Sequence, residues 1–178
     1  MGIGALPVVS PGSITDTWDP TTNARGELGQ IFFYKNGDQY SLVEMIQLDN
    51  NGCSQGEVLV TNFATLKQYS VTKSSTTDGY APHFRGLAAA TIASQKAGYM
   101  YIGGYCEKAD LSHTAASGEL LAVSGSVAGK LTPNIASSFW GATLGLSSTL
   151  GTAAFAFAIA KTAIGTGIGS VQILGVWG

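Results

Sequence analysis

Short apolar runs, separated by glycine and proline, recur along the chain at a spacing typical of β-strands. Residues 85–133 show this most clearly. Residues 99–102 combine tyrosine, methionine and isoleucine before the glycines at 103–104, and residues 120–123 form a second apolar run between glycines. Aromatic and β-branched residues favour strands, and glycine tolerates the positive φ of turns. A third run stops at Pro133, which lacks a backbone donor. The pattern predicts a compact β-meander in this region.

A hairpin is predicted upstream. The Asn-Gly pair at residues 36–37 lies between two segments that favour strands, 31–35 and 38–43. This pair is the strongest short hairpin signal, because a type I′ turn needs positive φ at both central positions. A two-residue loop there would place Phe33 opposite Tyr40.

The remaining apolar runs also favour strands. Residues 154–160 alternate alanine with phenylalanine and isoleucine at period two, which predicts a strand. A helix is the rival interpretation, because alanine is the best helix former and Phe155 and Ile159 are four residues apart. We therefore predict an all-β, barrel-like or sandwich domain of about eight to ten short strands with at most one short helix. Further strands are predicted at residues 44–48, with one face covered, and at 56–61, 68–72 and 170–177.

The first residues differ from the rest of the chain. Residues 1–24 contain three prolines, one tryptophan and no apolar period, which predicts an extended N-terminal arm, with a single β-domain over residues 25–178. Such an arm lies either on another chain or on its own domain. Its candidate contact residues for a capsid or another protomer are Leu6, Val8, Val9 and Trp18.

Composition points to a surface that other chains cover. Charged residues make up 11% of the chain, against about 25% in a typical soluble domain. A monomer of 18.3 kDa exposes on the order of 8,000 Å², which so few charges cover thinly. The 45% hydrophobic content excludes disorder of the whole body. We expect a symmetric homo-oligomer. The net charge of −2 gives no basic footprint for nucleic acid.

Targeting and redox signals are weak. The N-terminus lacks the basic and apolar regions of a secretory signal. The most membrane-like stretch, residues 152–168, contains Lys161 and two glycines, so we predict no membrane span. Cys53 and Cys106 belong to no metal-binding motif, and we interpret them as buried free thiols, although their spacing neither supports nor refutes a disulfide.

Two glycine-rich segments look at first like nucleotide-binding loops. Residues 125–132 fail as a P-loop, because three residues separate the glycines and leucine follows the lysine. Residues 165–170 fail as a dinucleotide fingerprint, because the third glycine comes one residue early and a strand follows. Both are interpreted as turns.

No catalytic constellation is apparent. His83 and His113 are the only histidines, and no cluster of ligands surrounds either in sequence. The carboxylates of Glu107, Asp110 and Glu119 fall in predicted connections, where solvated charge is the default. We therefore predict no enzymatic activity, no cofactor and no metal site.

A family resemblance rests on the order of several motifs. It begins with Leu28-Gly29, followed by a hairpin with a buried tyrosine at Tyr40 and then Gln-Gly-Glu-Val at residues 55–58. It ends with an alanine-rich segment, a glycine turn and a final strand at residues 156–178. Between them come Gly-Tyr-x-Tyr-Ile-x-Gly at 98–104, His-Thr-Ala-Ala at 113–116, Ser-Gly-Glu-Leu-Leu at 117–121 and Val-Ala-Gly-Lys-Leu-Thr-Pro at 127–133. This order, over residues 28–178, resembles the head decoration, or capsid cement, proteins of tailed bacteriophages.

The resemblance implies a structural virion protein. Such a protein is made in the host cytoplasm, binds the major capsid protein on the capsid exterior, and commonly forms trimers at threefold positions. An alternative of another class is a carbohydrate- or receptor-binding β-domain of a virion fibre or lectin, which the seven tyrosines and three tryptophans motivate.

Overall fold

The residues that the structure describes form ten β-strands. The computed structural model describes residues 13–23, 25–49, 51–62, 69–76, 84–133 and 156–174, and no helix occurs among them. The all-β prediction is confirmed. The strands are β1 (Ile31–Asn36), β2 (Gln39–Leu48), β3 (Val58–Thr61), β4 (Ser70–Lys73), β5 (Phe84–Ala88), β6 (Ala97–Leu111), β7 (Leu120–Val123), β8 (Leu131–Pro133), β9 (Ala158–Ala160) and β10 (Gly167–Ile173).

The strands close into two rings that share β6. In ring 1 the pairing runs β2, β4, β3, β5, β6 and back to β2. In ring 2 it runs β6, β8, β7, β9, β10 and back to β6. The 15 residues of β6 are long enough for its first half to serve ring 1 and its second half ring 2. Because each ring is closed, every strand of a ring is paired on both sides within that ring.

The two rings repeat the same topology. Each has one parallel pairing, β2 with β4 and β6 with β8, and all its other pairings are antiparallel. In each ring an isolated β-bridge lies just before one of the strands. Cys53 pairs with Ile92 before β3 in ring 1, and Ala115 pairs with Ile164 before β7 in ring 2. Both bridges have reciprocal backbone hydrogen bonds of 2.8–2.9 Å. Strands β3, β4, β5 and β6 of ring 1 therefore correspond to β7, β8, β9 and β10 of ring 2. The sheet order β4-β3-β5-β6-β10-β9-β7-β8 is symmetric under this correspondence, so the chain contains an internal structural duplication.

The turns that lead into these strands repeat as well. Gly56 (φ 83°) and Gly118 (φ 82°) occupy matching places three residues after the bridge, and Gln95 (φ 60°) takes the same place before β6. Glu57 and Glu119 follow the glycines, and each carboxylate accepts a hydrogen bond from the backbone N–H three residues earlier, at 2.7 and 2.8 Å. Each turn thus satisfies a backbone donor outside the ladder.

Each ring has its own apolar interior. The interior of ring 1 is a separate cluster, and none of its buried members is more than 4% exposed. A larger cluster fills ring 2 and continues over the outer side of ring 1. Ring 1 contains Ile46, Leu48, Cys53, Leu59, Val71, Ala88, Ile92 and Met100, and ring 2 contributes Leu111, Leu121, Leu131, Ala158, Ala160 and Val171 to the larger cluster.

The described part of the predicted N-terminal arm packs on its own domain. Trp18 is 5% exposed and exchanges two backbone hydrogen bonds with Ala97 of β6, at 3.1 and 2.8 Å. Its ring lies 5.3 Å from that of Tyr99. Asp19 forms an ion pair with Lys96 at 2.7 Å, and this hydrogen bond, with others from Thr21, holds the pKa of Asp19 well below its usual range. The first segment is therefore part of the domain from residue 13.

The predicted hairpin forms, but in a different register. Asn36 pairs with Gln39, so the loop is Gly37-Asp38 and Phe33 lies opposite Leu42 instead of Tyr40. The prediction of a loop at residues 36–37 was wrong by one residue. Gly37 has a φ of 58°, and glycine with positive φ at the first central position is the requirement of a type II′ turn.

The predicted meander was also wrong. The strand at residues 99–102 does not stop at the glycines, because β6 continues through them to Leu111. Gly104 (φ 81°) instead allows close approach to β2, where an added Cβ would lie 2.9 Å from the Cα of Ser41. β6 and β7 are not neighbours, since β10 and β9 lie between them.

Two smaller predictions changed. The strand at residues 44–48 was expected to have one covered face, but four consecutive residues of β2, from 43 to 46, are buried. Both faces are covered, because Ile46 lies in the interior of ring 1 while Val43 and Met45 belong to the larger cluster. In the segment at 154–160, the described residues give strand β9 and not a helix. Residues 165–170 form a turn only at their start, since β10 begins at Gly167.

Candidate interaction surface

The histidine in the described region has ordinary surroundings. His113 is exposed, and its Nδ1 lies 2.9 Å from the Ser112 hydroxyl and 3.4 Å from that of Thr132. Neither hydroxyl is joined to a buried acid and base as a nucleophile would require. His83 lies outside the described residues.

The candidate carboxylates are dispersed. Glu107 is exposed on β6, Asp110 pairs with Lys130 at 3.1 Å, and Glu119 caps the turn before β7. Among the residues that the structure describes, no group of three or more histidine, cysteine, aspartate or glutamate side chains could hold a metal ion. The described part of the chain also contains no helix long and apolar enough to cross a membrane.

Both thiols are free and buried, as the sequence predicted. Burial raises the pKa of Cys53 to about 11 and that of Cys106 to about 12. Since the thiolate is the reactive form, neither residue is equipped as a nucleophile near neutral pH.

One buried ion pair lies beside a shallow depression. Both carboxylate oxygens of Glu44 lie 2.9 Å from the same guanidinium nitrogen of Arg85, and Glu44 is 6% exposed. Burial raises the pKa of Glu44, and the charge and hydrogen bonds of Arg85 oppose that shift. The open depression measures about 490 Å³, and the described residues that line it include no histidine, cysteine, serine or threonine. We assign the pair a structural role. The other lining residues are Glu27, Leu28, Gly29, Gln30 and Tyr69.

The exposed apolar side chains of the described region concentrate on one side of the sheet. Seven large apolar residues are exposed, and five of them share the side defined by Leu42, Gly103 and Tyr105. We call this side the open face. Its exposed members are Ile31, Phe33, Tyr40, Leu120 and Leu174; the other two exposed residues are Val127 and Ile168.

One part of the open face is the hairpin. Ile31, Phe33 and Tyr40 are 36%, 40% and 60% exposed, and we call these three residues the hairpin stripe. The expectation that Tyr40 is buried was wrong, because Tyr40 lies on the uncovered side of the hairpin with Phe33. Phe32 points to the opposite side and is buried against Tyr99, with ring centroids 6.2 Å apart. This alternation is what a strand with one covered face gives.

The second part crosses ring 2. Tyr105 lies opposite Gln172, Gln172 opposite Ile159, and Ile159 opposite Leu120. We call these four residues the distal row. Leu120 is 42% exposed and the other three are half-buried, whereas the residues that follow them on the inner side are buried in the core. No member of the row is charged.

Ring 1 contains the same row in the same register. Val43 lies opposite Tyr101, Tyr101 opposite Leu87, and Leu87 opposite Val58. We call these four residues the proximal row. They are 0%, 9%, 0% and 0% exposed, so this row is fully inside the larger core. The same four-residue row therefore occurs twice in the fold. It is covered in ring 1 and open to solvent in ring 2.

The glycines beside the two rows show the same contrast. An added Cβ at Gly56 would collide with the backbone carbonyl of Lys108 and lie 3.2 Å from the backbone nitrogen of Asp110. At Gly118 the same atom would meet nothing within 4 Å. The edge of ring 1 is therefore docked on β6, and the equivalent edge of ring 2 is open.

Of the site residues expected from the sequence, the one that the structure describes is not on this face. Trp18 is in the chain's own core, and Leu6, Val8 and Val9 lie outside the described residues. Sequence reasoning missed the distal row. The available signal was the repeated pattern Gly-Glu-aliphatic-Leu at residues 56–59 and 118–121, which marks the duplication from which the row follows.

No protein family matches the chain, and no curated protein is significantly similar to it.

Proposed function

We propose that this protein is a structural virion component that binds the exterior of a tailed-phage capsid and cements neighbouring capsid subunits. The observation that supports this most is the open face, which gathers five of the seven exposed large apolar side chains of the described region. Apolar patches of this kind mark interaction surfaces. The 11% charge content and the motif order at residues 28–178 point the same way.

Cementing requires no chemistry. A protein that binds the assembled shell and not its separated subunits stabilises the shell by linkage. If one molecule contacts two subunits, the second contact gains from effective concentration. The proposal places the protein outside the capsid as a homotrimer, with the major capsid protein as its partner and the hairpin stripe as a shell contact.

The test uses empty expanded shells of the same virus. Wild-type protein should bind them and raise their melting temperature. Phe33→Glu, which puts a charge in the centre of the hairpin stripe, should weaken binding at least about 10-fold, because burying an unpaired carboxylate is costly. Val127→Glu is the matched control, since Val127 is 37% exposed and outside the open face. Equal binding by all three proteins would remove the hairpin stripe from the proposal, and no binding by wild type would refute the function.

The predicted arm is tested separately. Deleting residues 1–12 removes Leu6, Val8 and Val9 and leaves Trp18 in the core. If the arm fastens the shell, the truncated protein folds normally and binds shells more weakly. Unchanged binding and unchanged shell stabilisation would show that residues 1–12 do not contribute and that the domain alone binds the shell.

A second candidate function has one observation in its favour. Phe33 and Tyr40 are exposed aromatic residues of one hairpin, and the Lys35 ammonium lies 5.5 Å from the Tyr40 ring centroid. Aromatic side chains with polar neighbours suit a carbohydrate- or receptor-binding site. Binding to a glycan array that Tyr40→Ala abolishes would favour this function over cementing.

A further inference from the structure

The contacts around the proximal row show which kind of structure docks on a surface of this type. Val58 of the proximal row donates a backbone hydrogen bond to the carbonyl of Gly129, in the turn that connects β7 and β8 of ring 2, at 2.7 Å. Asp110 of β6 donates one to the Gly56 carbonyl at 3.0 Å, and Gly129 donates one to the Ser74 carbonyl at 3.0 Å. The row shares the larger core with ring 2. The edge of ring 1 therefore docks on ring 2.

We infer that the distal row is covered by a second copy of this chain. The row has the register of the proximal row, and the open turn at Gly118 has the conformation of the docked turn at Gly56. The partner that the structure shows on such an edge is a ring of this same protein. A second copy supplies that ring, whereas a capsid subunit has no such counterpart in the structure.

The chemistry of the row suits a contact between copies. Leu120 and Ile159 are aliphatic, and Tyr105 and Gln172 each add a neutral hydrogen-bonding group. Interface cores are depleted of charge and enriched in tyrosine. A contact that repeats ring-to-ring docking from copy to copy is heterologous, and it forms a closed assembly only if the rotation closes. The inference therefore deepens the proposed homo-oligomer and rests on it, and it does not require shell binding.

The decisive variant is Leu120→Glu, with Ile168→Glu as the matched control. Ile168 is 63% exposed and lies on β10 outside the distal row. Sedimentation velocity and light scattering, without shells, would measure the association of wild type and both variants over micromolar concentrations. We expect Leu120→Glu to raise the dissociation constant at least about 100-fold, because a carboxylate would be buried at a central contact. Ile168→Glu should associate as wild type does.

A measurement on wild type removes dependence on the folding of any variant. Side-chain footprinting should show Leu120 and Ile159 becoming protected as concentration rises, while Ile168 stays reactive. A monomeric wild type, or association that Leu120→Glu does not weaken, would overturn the inference. If wild type is monomeric and Leu120→Glu instead weakens shell binding, then the row faces the capsid, and the inference fails while the proposed function stands.

Discussion

The two matching glycines allow the duplication to be tested by stability. Gly56 and Gly118 have φ values of 83° and 82°, so alanine incurs nearly the same backbone cost at both, about 1–2 kcal/mol. At Gly118 nothing lies within 4 Å of the added methyl, and no further cost is expected. At Gly56 the methyl collides with the backbone of Lys108 on the central strand, which cannot rotate away as a side chain would. Overpacking adds about 1–3 kcal/mol.

Gly56→Ala should therefore lose about 2 kcal/mol more than Gly118→Ala. For a chain of this length that difference lowers the melting temperature by a further 4–8 °C or so. Urea unfolding followed by tryptophan fluorescence, at one protein concentration for both variants, would measure it. Equal losses would show that the turn of ring 1 is not docked on β6, and the contrast between covered and open edges would fail.

Two further predictions concern buried groups. Trp18→Ala should destabilise the domain by about 3–5 kcal/mol, since Trp18 is 5% exposed in the core, and thermal unfolding would measure the loss. Unchanged stability together with weaker shell binding would instead mean that Trp18 is a surface contact. Cys53 and Cys106 should resist a thiol reagent at mildly alkaline pH and react fully in denaturant, because burial raises both pKa values; rapid labelling of the native protein would contradict their placement.

Local patterns in the sequence predicted the local structure well. The apolar run at residues 120–123 is β7 with the same bounds, and Pro133 ends β8 as its missing donor requires. The hairpin formed because a glycine lies between two strand-forming runs. Its register was not predictable from the Asn-Gly pair, because types I′ and II′ both suit Gly37 and the packing of Phe32 against Tyr99 favours one of them.

The ring architecture depended on contacts that local patterns do not encode. Gly103 and Gly104 look like a strand end, yet they lie inside β6, where the close approach of β2 leaves no room for a side chain at Gly104. The parallel pairing of β6 with β8 rests on a single pair, Leu111 with Leu131, which no periodicity indicates. A self-comparison of the sequence around Gly56 and Gly118 could have suggested the repeat.

The interaction surface was the least predictable feature. Leu120 belongs to an apolar run that reads as core, and its equivalent Val58 is indeed 0% exposed. Trp18 looked like an arm residue for external contact, yet it lies in the core because its backbone pairs with Ala97. Exposure at such positions depends on which ring covers which, and that is a property of the assembled fold.

The Glu44–Arg85 ion pair gives a testable prediction about stability. Removing one partner of a buried pair leaves the other charge without compensation and costs about 3–5 kcal/mol. Arg85 keeps 21% of its side chain exposed, so we expect Arg85→Met to lie near the lower end. The double variant Glu44→Leu with Arg85→Met should recover most of the loss in urea unfolding. Additive losses would show that the two residues do not act as a pair.

The pH dependence of Glu44 has a defined sign. Burial raises the pKa of Glu44 in the folded state, with Arg85 opposing, so the fold binds this proton more tightly than the unfolded chain does. The stability contribution is therefore complete below the ordinary glutamate pKa and is lost as the pH rises through the raised value. Glu44→Gln removes this titration and leaves all other groups in place. The unfolding free energy of wild type minus that of Glu44→Gln, measured in urea from acidic to neutral pH, should fall as the pH rises. A difference that instead grows with pH would mean that Arg85 outweighs burial, and that Glu44 is held in its charged form.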